Sequence, residues 1–258
     1  MGTGFNKEQM MAKNVSDVSA ASESVALLPV RGQLPEEQLI YDRLVDAIID
    51  KTLRPGEYLN EVKLAKSYGV PRSRVRRVLE RLRDEAVIEF QLNRGAFIRR
   101  PTVDEARDVF EARRHLESII VRLACARATK ANIAQLYTHL ETQRRVFDNR
   151  LPEMNRIAGE FHMLLAEMAG NEVLTRMLTL LMRRVCLIQS LYEKQNGVLC
   201  LVHEHEKLIA LIDANDADGA AAVALAHCQH IEQSLDLSER RRAEVDIYGT
   251  VLLPGDRP

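Results

Sequence analysis

The spacing of apolar positions sets out the elements of this chain before any other property does. Residues 1–34 show no sustained period, are rich in Ser, Ala and Val, and break at 29–32, so a flexible N-terminal tail is expected there. From Glu36 the spacing turns helical, with Ile40, Leu44, Val45, Ile48 and Ile49 on one side, and it stops before Pro55-Gly56. A short second helix is expected from about Glu61 to Tyr68, its apolar side made by Val62, Leu64 and Ala65. After the turn Gly69-Val70-Pro71, a third helix starts at Pro71 or Arg72, where proline is favoured, and Val75, Val78, Leu79 and Leu82 share one face. Two short helices joined at a glycine turn carry the helix-turn-helix signature. Two β-prone runs, 87–91 and 96–100, then flank Leu92-Asn93-Arg94-Gly95, where Asn and Gly suit the positive φ of a hairpin turn. Three helices and a hairpin wing predict a winged helix-turn-helix over residues 35–100.

Pro101 ends the wing, and Thr102 followed by Glu105 predicts a capping box and a new helix. From there to about residue 242 the pattern is helical throughout. Breaks fall near Thr129-Lys130, Leu151-Pro152, Gly170-Asn171, residues 195–197 and Asn215-Asp216. The expected fold class is therefore mainly α: the winged unit, then an all-α bundle of six to seven helices over 101–242, then a C-terminal tail at 243–258.

Composition sharpens this picture at one place. The formal net charge of the 258 residues is −1, yet residues 71–100 hold nine arginines against Glu80, Asp84, Glu85 and Glu89. A neutral protein with one basic face meets phosphate there, unless that face is only a solvated helix. The four cysteines lie far apart with no CxxC pair, which argues against a disulfide framework or a thiolate zinc site and fits a reducing cytoplasm. No apolar stretch is long enough to span a bilayer, so no membrane partner is expected.

Several of these residues also carry a family resemblance. Pro55-Gly56, Leu64-Ala65, Gly69-Val70, Arg72-Ser73, Val75-Arg76, Leu79 and Asn93-Arg94-Gly95-Ala96 resemble the DNA-binding domain of the GntR family. Arg113-x-x-Leu116-Glu117, Phe161-His162, Gly170-Asn171, Glu204-His205, and Asp216 leading to His227 resemble the FCD ligand-binding domain of its FadR branch. The resemblance spans roughly residues 36–235. It departs at Pro71, Arg74 and Arg77, where the family has Ser, Pro and Glu, so it does not extend to the operator sequence. Ala86 stands where a glycine is common, just before the wing.

Base reading needs donors near the start of the third helix. Arg72, Ser73 and Arg76 sit there, and the resemblance implies the same three; the arginine fork matches guanine O6 and N7. Arg74 and Arg77 point elsewhere on the helix and are expected at phosphates. Arg94 at the wing tip, with Gly95 allowing close approach, is expected in the minor groove or on the backbone. The alternative is that these arginines only make salt bridges with Glu80, Asp84 and Glu85.

In the helical part, His162, His205 and His227 each lie on an apolar helical face. Converging in a bundle, three imidazoles suit one divalent transition metal with positions open for a ligand; taken singly, each is an ordinary core histidine. The resemblance places the three at the family's metal-binding positions. It also implies an aspartate one turn before the first histidine, where this chain has Ala158. Three neutral ligands favour Zn or Ni over hard cations. Arg113 falls within the apolar stripe Val109, Leu116, Ile120 and Leu123, and needs a partner: Glu117, or the carboxylate of an effector. Arg113 and the three histidines are the effector-binding candidates.

The function expected is a cytoplasmic DNA-binding transcription regulator, most often a repressor in the family it resembles. It would dimerise on a palindromic operator in double-stranded DNA and respond to a small organic acid. Two alternatives stay open. One is a constitutive dimeric regulator without effector; the other is a metalloenzyme, for which no HExxH motif or placed general base is found.

Overall fold

The computed structural model describes residues 35–151, 153–194 and 202–238. Both expected tails and the expected break at 195–197 lie outside the described residues, as does Cys200.

The winged unit opens with α1 (Pro35–Ile49), followed by β1 (Tyr58–Leu59), α2 (Glu61–Tyr68), α3 (Arg72–Asp84), β2 (Ile88–Gln91) and β3 (Gly95–Ile98). Asn60 caps α2 by accepting from the Lys63 amide, and Gly69 ends it in the left-handed conformation at φ 64°. The apolar faces read from the sequence meet: Ile40, Leu44 and Ile48 of α1 pack on Val75, Leu79 and Leu82 of α3, closed off by Ile88 and Ile98 of the wing. The hairpin is antiparallel, with Phe90 opposite Ala96 and Gln91 opposite Gly95. Its sheet has a third strand that the sequence pattern does not announce. Tyr58 and Leu59 pair with Phe97 and Ala96, giving the order β1-β3-β2. Two residues are too few for a period-2 signal, and tertiary pairing alone makes them a strand.

Six helices follow: α4 (Val103–Arg127), α5 (Lys130–Asp148), α6 (Met154–Met168), α7 (Glu172–Tyr192), α8 (Val202–Asp213) and α9 (Ala217–Gln233). Thr102 caps α4, accepting from the Glu105 amide. The Glu105 carboxylate does not return the bond to the cap; it pairs with Arg99 at 2.9 Å and Arg184 at 2.6 Å, because two guanidiniums outbid one amide. The reciprocal capping box stands instead at Thr129 and Asn132, before α5. The last described helix ends at Gln233, short of residue 242, where Leu235 pairs with Glu193 and draws the chain out of helical geometry. The bundle core joins Ile120 and Ala124 of α4, Leu136 and Leu140 of α5, Phe161 and Leu165 of α6, and Leu208 and Ile212 of α8.

The long helix α7 ties the two units together. Leu187 is fully buried, and it is counted in the core of the winged unit although it belongs to the bundle. One turn earlier, Arg183 donates to Glu85 at the end of α3 and lies 5.0 Å from the centre of the Tyr41 ring in α1. Tyr41 donates to the same Glu85 carboxylate and stacks beneath Arg81 at 3.6 Å. Burial is the main cause that pushes the Tyr41 phenol far above its ordinary range, so it stays a donor. Arg156 of α6 adds bonds to Asp50 at 2.6 Å and Asp46 at 3.5 Å.

Two backbone positions decide how well the wing is held. Ala86 sits at φ 57°, in the region glycine prefers, so the missing glycine at this position costs strain. Gly95 sits at φ 94°, and a Cβ there would come within 2.9 Å of the Tyr58 ring. Ala86→Gly is therefore expected to raise the thermal midpoint by about 2–4 °C, the equivalent of about 1 kcal/mol. Gly95→Ala is expected to lower it by more than that. Scanning calorimetry on both variants checks the pair; a lower midpoint for Ala86→Gly would contradict the strain.

Candidate functional site

Two sites emerge, one on each unit. On the winged unit, α3 begins at Arg72 behind Pro71, whose side chain makes no cap, so the first amides of the helix face outward. Arg72, Ser73 and Arg76 are exposed there. Their acidic neighbours hold them loosely: Arg72 reaches Glu61 at 3.5 Å and Arg76 reaches Glu80 at 3.4 Å, both exposed pairs of little worth. Arg77 is held differently, with two bonds to Glu37 of α1, and Arg74 meets Glu36 at 3.3 Å. These two lie on the side of α3 that faces α1, apart from the three at its outer end. Arg94 is exposed at the wing tip with its guanidinium 5.2 Å from the Phe97 ring centre. The exposed arginines thus form a helix end and a wing tip, a shape suited to a groove and its flanking phosphates.

In the bundle, the three histidines arrive from three helices: His162 from α6, His205 from α8 and His227 from α9. All are buried, and one ring nitrogen from each lies within 4.8 Å of the others. Their outward nitrogens are each engaged. His162 Nδ1 meets Glu117 at 2.8 Å, His205 Nδ1 meets the Gln143 carbonyl oxygen at 2.9 Å, and His227 Nδ1 meets Glu204 at 2.8 Å. An oxygen acceptor on Nδ1 fixes the proton there and leaves the Nε2 lone pair pointing inward. His205 Nε2 and His227 Nε2 then face each other at 3.2 Å. Two lone pairs at that distance repel unless a cation or proton lies between them. Phe161 stacks on His205 at 3.9 Å between centres and keeps the ring from turning away.

Arg113 occupies the third side. It is 1% exposed, pairs with Glu117 through Nε at 2.5 Å, and donates from Nη2 to His162 Nε2 at 3.0 Å. The internal partner of this buried guanidinium is thus Glu117, one turn along α4. Burial alone would raise the Glu117 carboxyl, but Arg113 and His162 outweigh it and hold the group well below the ordinary carboxylate range. Burial pushes His162 down to about 4, against the pull of Glu117, and drives His205 well below its ordinary value. Both are neutral imidazoles at neutral pH, the state in which nitrogen binds metal.

The donor set fits a soft or borderline divalent metal: three convergent imidazoles, each oriented by an oxygen, with two carboxylates behind them. Ala158 supplies no fourth protein ligand, and Arg113 stands where a fourth group would approach His162. The metal candidates and Arg113 are brought together; the DNA-reading candidates gather separately. Sequence reasoning missed Gln143 and Glu204 as supports for the rings and Phe161 as their lid. The signal was present in Gln143, a polar residue on the apolar stripe of Leu136 and Leu140.

The buried histidines set a pH dependence of stability. Above the unfolded value of 6.5, both states are neutral and the rings carry no proton-linked cost. As the pH falls below 6.5, the unfolded chain takes up protons that folded His162 accepts only near 4, so stability is lost. Metal-stripped protein is expected to lose about 2 kcal/mol through His162 between pH 7 and pH 5. Urea midpoints at pH 7, 6 and 5 in the presence of a chelator check this, and a flat profile would contradict a neutral buried imidazole.

Comparison with known proteins agrees with the geometry. Residues 36–98 match the family described as bacterial regulatory proteins, gntR family, and residues 108–230 match the FCD domain. The Nta operon transcriptional regulator of Aminobacter aminovorans is 34% identical over 197 residues, covering 76% of this chain and 91% of the relative. The HTH-type transcriptional regulator LutR of Bacillus subtilis is 26% identical, covering 71% of this chain and 93% of its own length. Among solved structures, Escherichia coli McbR/YncC superposes with a TM-score of 0.68 at 20% identity, covering 76% of this chain and 95% of that one. A putative GntR regulator from Rhodococcus sp. RHA1 gives 0.66 at 20% identity, covering 78% and 97%. The matched families and relatives are transcriptional regulators rather than enzymes.

Proposed function

Because the chain belongs to the GntR family of bacterial regulatory proteins and carries an FCD domain, which makes it a transcriptional regulator of that type, we propose that it is a cytoplasmic repressor whose hold on its operator is set by a small organic acid in the bundle. The observation that carries the reading is the division of the chain into an arginine-tipped helix and wing at one end and a convergent, buried histidine centre at the other. Arg72, Ser73 and Arg76 read base edges; Arg94 and Gly95 bring the wing to the backbone, and Arg74 and Arg77 steady the helix against phosphate while bound to α1.

The His162, His205 and His227 centre would hold one divalent transition metal, Zn or Ni, by their Nε2 atoms, with Arg113 Nη2 released from His162 Nε2 when the metal binds. A bound metal supplies a Lewis-acidic anchor for a chelating carboxylate. Arg113 then offers its guanidinium to the same carboxylate, and Glu117 keeps that guanidinium aimed. The effector's own oxygens take the place that an aspartate at position 158 would fill. Binding acts on DNA only through different affinities for the DNA-competent and incompetent arrangements.

Two copies form the working unit, matched to a palindromic operator. A stripe on α7, Val173, Met177 and Leu180, is exposed and apolar at steps of four and three, and supports a helix-on-helix contact between copies. No described helix is long and apolar enough to cross a membrane.

Arg72→Ala and Arg76→Ala are each expected to weaken operator binding by about 1–3 kcal/mol while weakening binding to random DNA much less. Fluorescence anisotropy on both DNAs, at one salt concentration, decides the matter; equal losses would remove the base-reading role. Elemental analysis of purified, untagged protein is expected to find near-stoichiometric transition metal that His205→Ala removes. Metal-free protein after reconstitution would leave Arg113 as the sole anchor and favour a regulator that works without metal.

A further inference from the structure

A cavity of about 320 Å³ opens between α1 of the winged unit and α6 and α7 of the bundle, and none of the three histidines lines it. Its size is at the lower end of small-molecule sites. Val45 and Ile49 of α1 face Met163 and Met182 across it, so its body is apolar. Gly159 lines it from the middle of α6, with room for a Cβ at ordinary contact, 3.7 Å, from Met182. A glycine inside a helix costs about 1 kcal/mol relative to alanine; here it keeps open space that a side chain would fill.

Three arginines and three acids line this space, and they are not paired one to one. Arg156 is held by Asp50 and Asp46, and Arg183 by Glu85, so both buried-side cations are already paired. Arg43 is exposed at the rim. Asp42 accepts a bond from Gln38 at 2.7 Å but has no ion pair among the described residues. Glu160 has neither a hydrogen bond nor an ion pair among the described residues. Two part-buried carboxyl groups therefore line a largely apolar space without an ion pair among the described residues, and burial is the main cause that raises both above the ordinary carboxylate range.

We propose that this interdomain cavity is a second ligand site, taking a small amphipathic organic cation whose apolar body lies between Val45, Ile49, Met163 and Met182 and whose protonated amine meets Asp42 or Glu160. The site is separate from the histidine centre and does not depend on metal there. Its ligand touches α1 on one side and α6 and α7 on the other. It therefore bears on the placement of the winged unit against the bundle, and with it on operator binding.

Fluorescence titration of the full chain with 1-naphthylmethylamine, 1-naphthylmethanol and 1-naphthoate tests the proposal, since the three share an apolar body and differ in charge. The amine is expected to bind at least about tenfold more tightly than the alcohol or the carboxylate. In the Asp42→Asn, Glu160→Gln double variant that preference should vanish while the alcohol still binds. Gly159→Leu should fill the cavity and remove binding of all three. Gly159→Ala, which the space accommodates, should retain the fold and most of the binding, and unchanged helical circular dichroism in both glycine variants separates blockage from unfolding. Equal binding of the three probes overturns the proposal. So does tighter binding of the carboxylate, which would make the Arg183 Nε, without a hydrogen-bond partner among the described residues, the anchor instead. Undiminished amine binding in a folded Gly159→Leu protein places the ligand elsewhere and overturns it too.

Discussion

The burial of one face of α7 inside the winged unit is the constraint on which the rest of the molecule depends. Leu187 gives that unit part of its core, and Arg183 joins Arg81 as a second cation on Glu85 and Tyr41, this one from the bundle. Removing Leu187 from the interface would open a hole in a DNA-binding core made from a different part of the chain. Removing Arg183 would leave the half-buried Glu85 carboxylate at the end of α3 with Arg81 alone and cut its tie to the bundle. The wing is tied from the same side, since Arg184 and Arg99 share Glu105 and Tyr192 donates to the Pro101 carbonyl at 2.8 Å. A regulator needs its sensor and reader to be mechanically continuous, and α7 provides that continuity with side chains rather than with a linker.

The histidine centre is an electrostatic problem solved by layers. Three rings gather at the middle, oxygens stand behind each ring, and one buried guanidinium balances one buried carboxylate at the edge. The loss of a carboxylate at position 158 is offset in charge by Glu117 and Glu204, which sit outside the rings rather than beside them. That placement keeps the rings oriented while leaving the inner side uncharged, apart from Arg113. What remains is the pair of facing lone pairs on His205 and His227, since Arg113 is already balanced by Glu117.

How much of this was legible depended on the range of the interaction. Helices with long apolar stripes, such as α1 and α4, and turns with left-handed residues, such as Gly69 and Asn93, follow from local chemistry, so the sequence pattern locates them well. The winged class and the three convergent histidines were likewise visible, because ring-bearing residues at helical spacing must point into a bundle. What was not visible depends on contacts distant in the chain. Strand β1 exists only because β3 passes beside it, and Glu105 leaves its cap because Arg184, 79 positions away, draws it off. Nor does an alanine in sequence announce its own backbone angle: Ala86, where a glycine is common, has a φ of 57°, so the backbone there keeps the glycine geometry and bears the strain.

Helix α6 sets the relation between the two proposed ligand sites. Its residue His162 belongs to the histidine cluster, while Gly159, three positions before it, and Met163, one position after it, line the cavity toward α1. A rigid helix cannot adjust one face without moving the other, since packed interiors shift as units. Any ligand that moves α6 from the cavity side therefore changes the free energy of the histidine side, and the coupling runs equally in both directions. An α6 held by Arg156 to α1 also carries that movement to the winged unit. On the proposed reading, occupancy of either site is expressed at the same place, the angle at which α3 and the wing are offered to DNA.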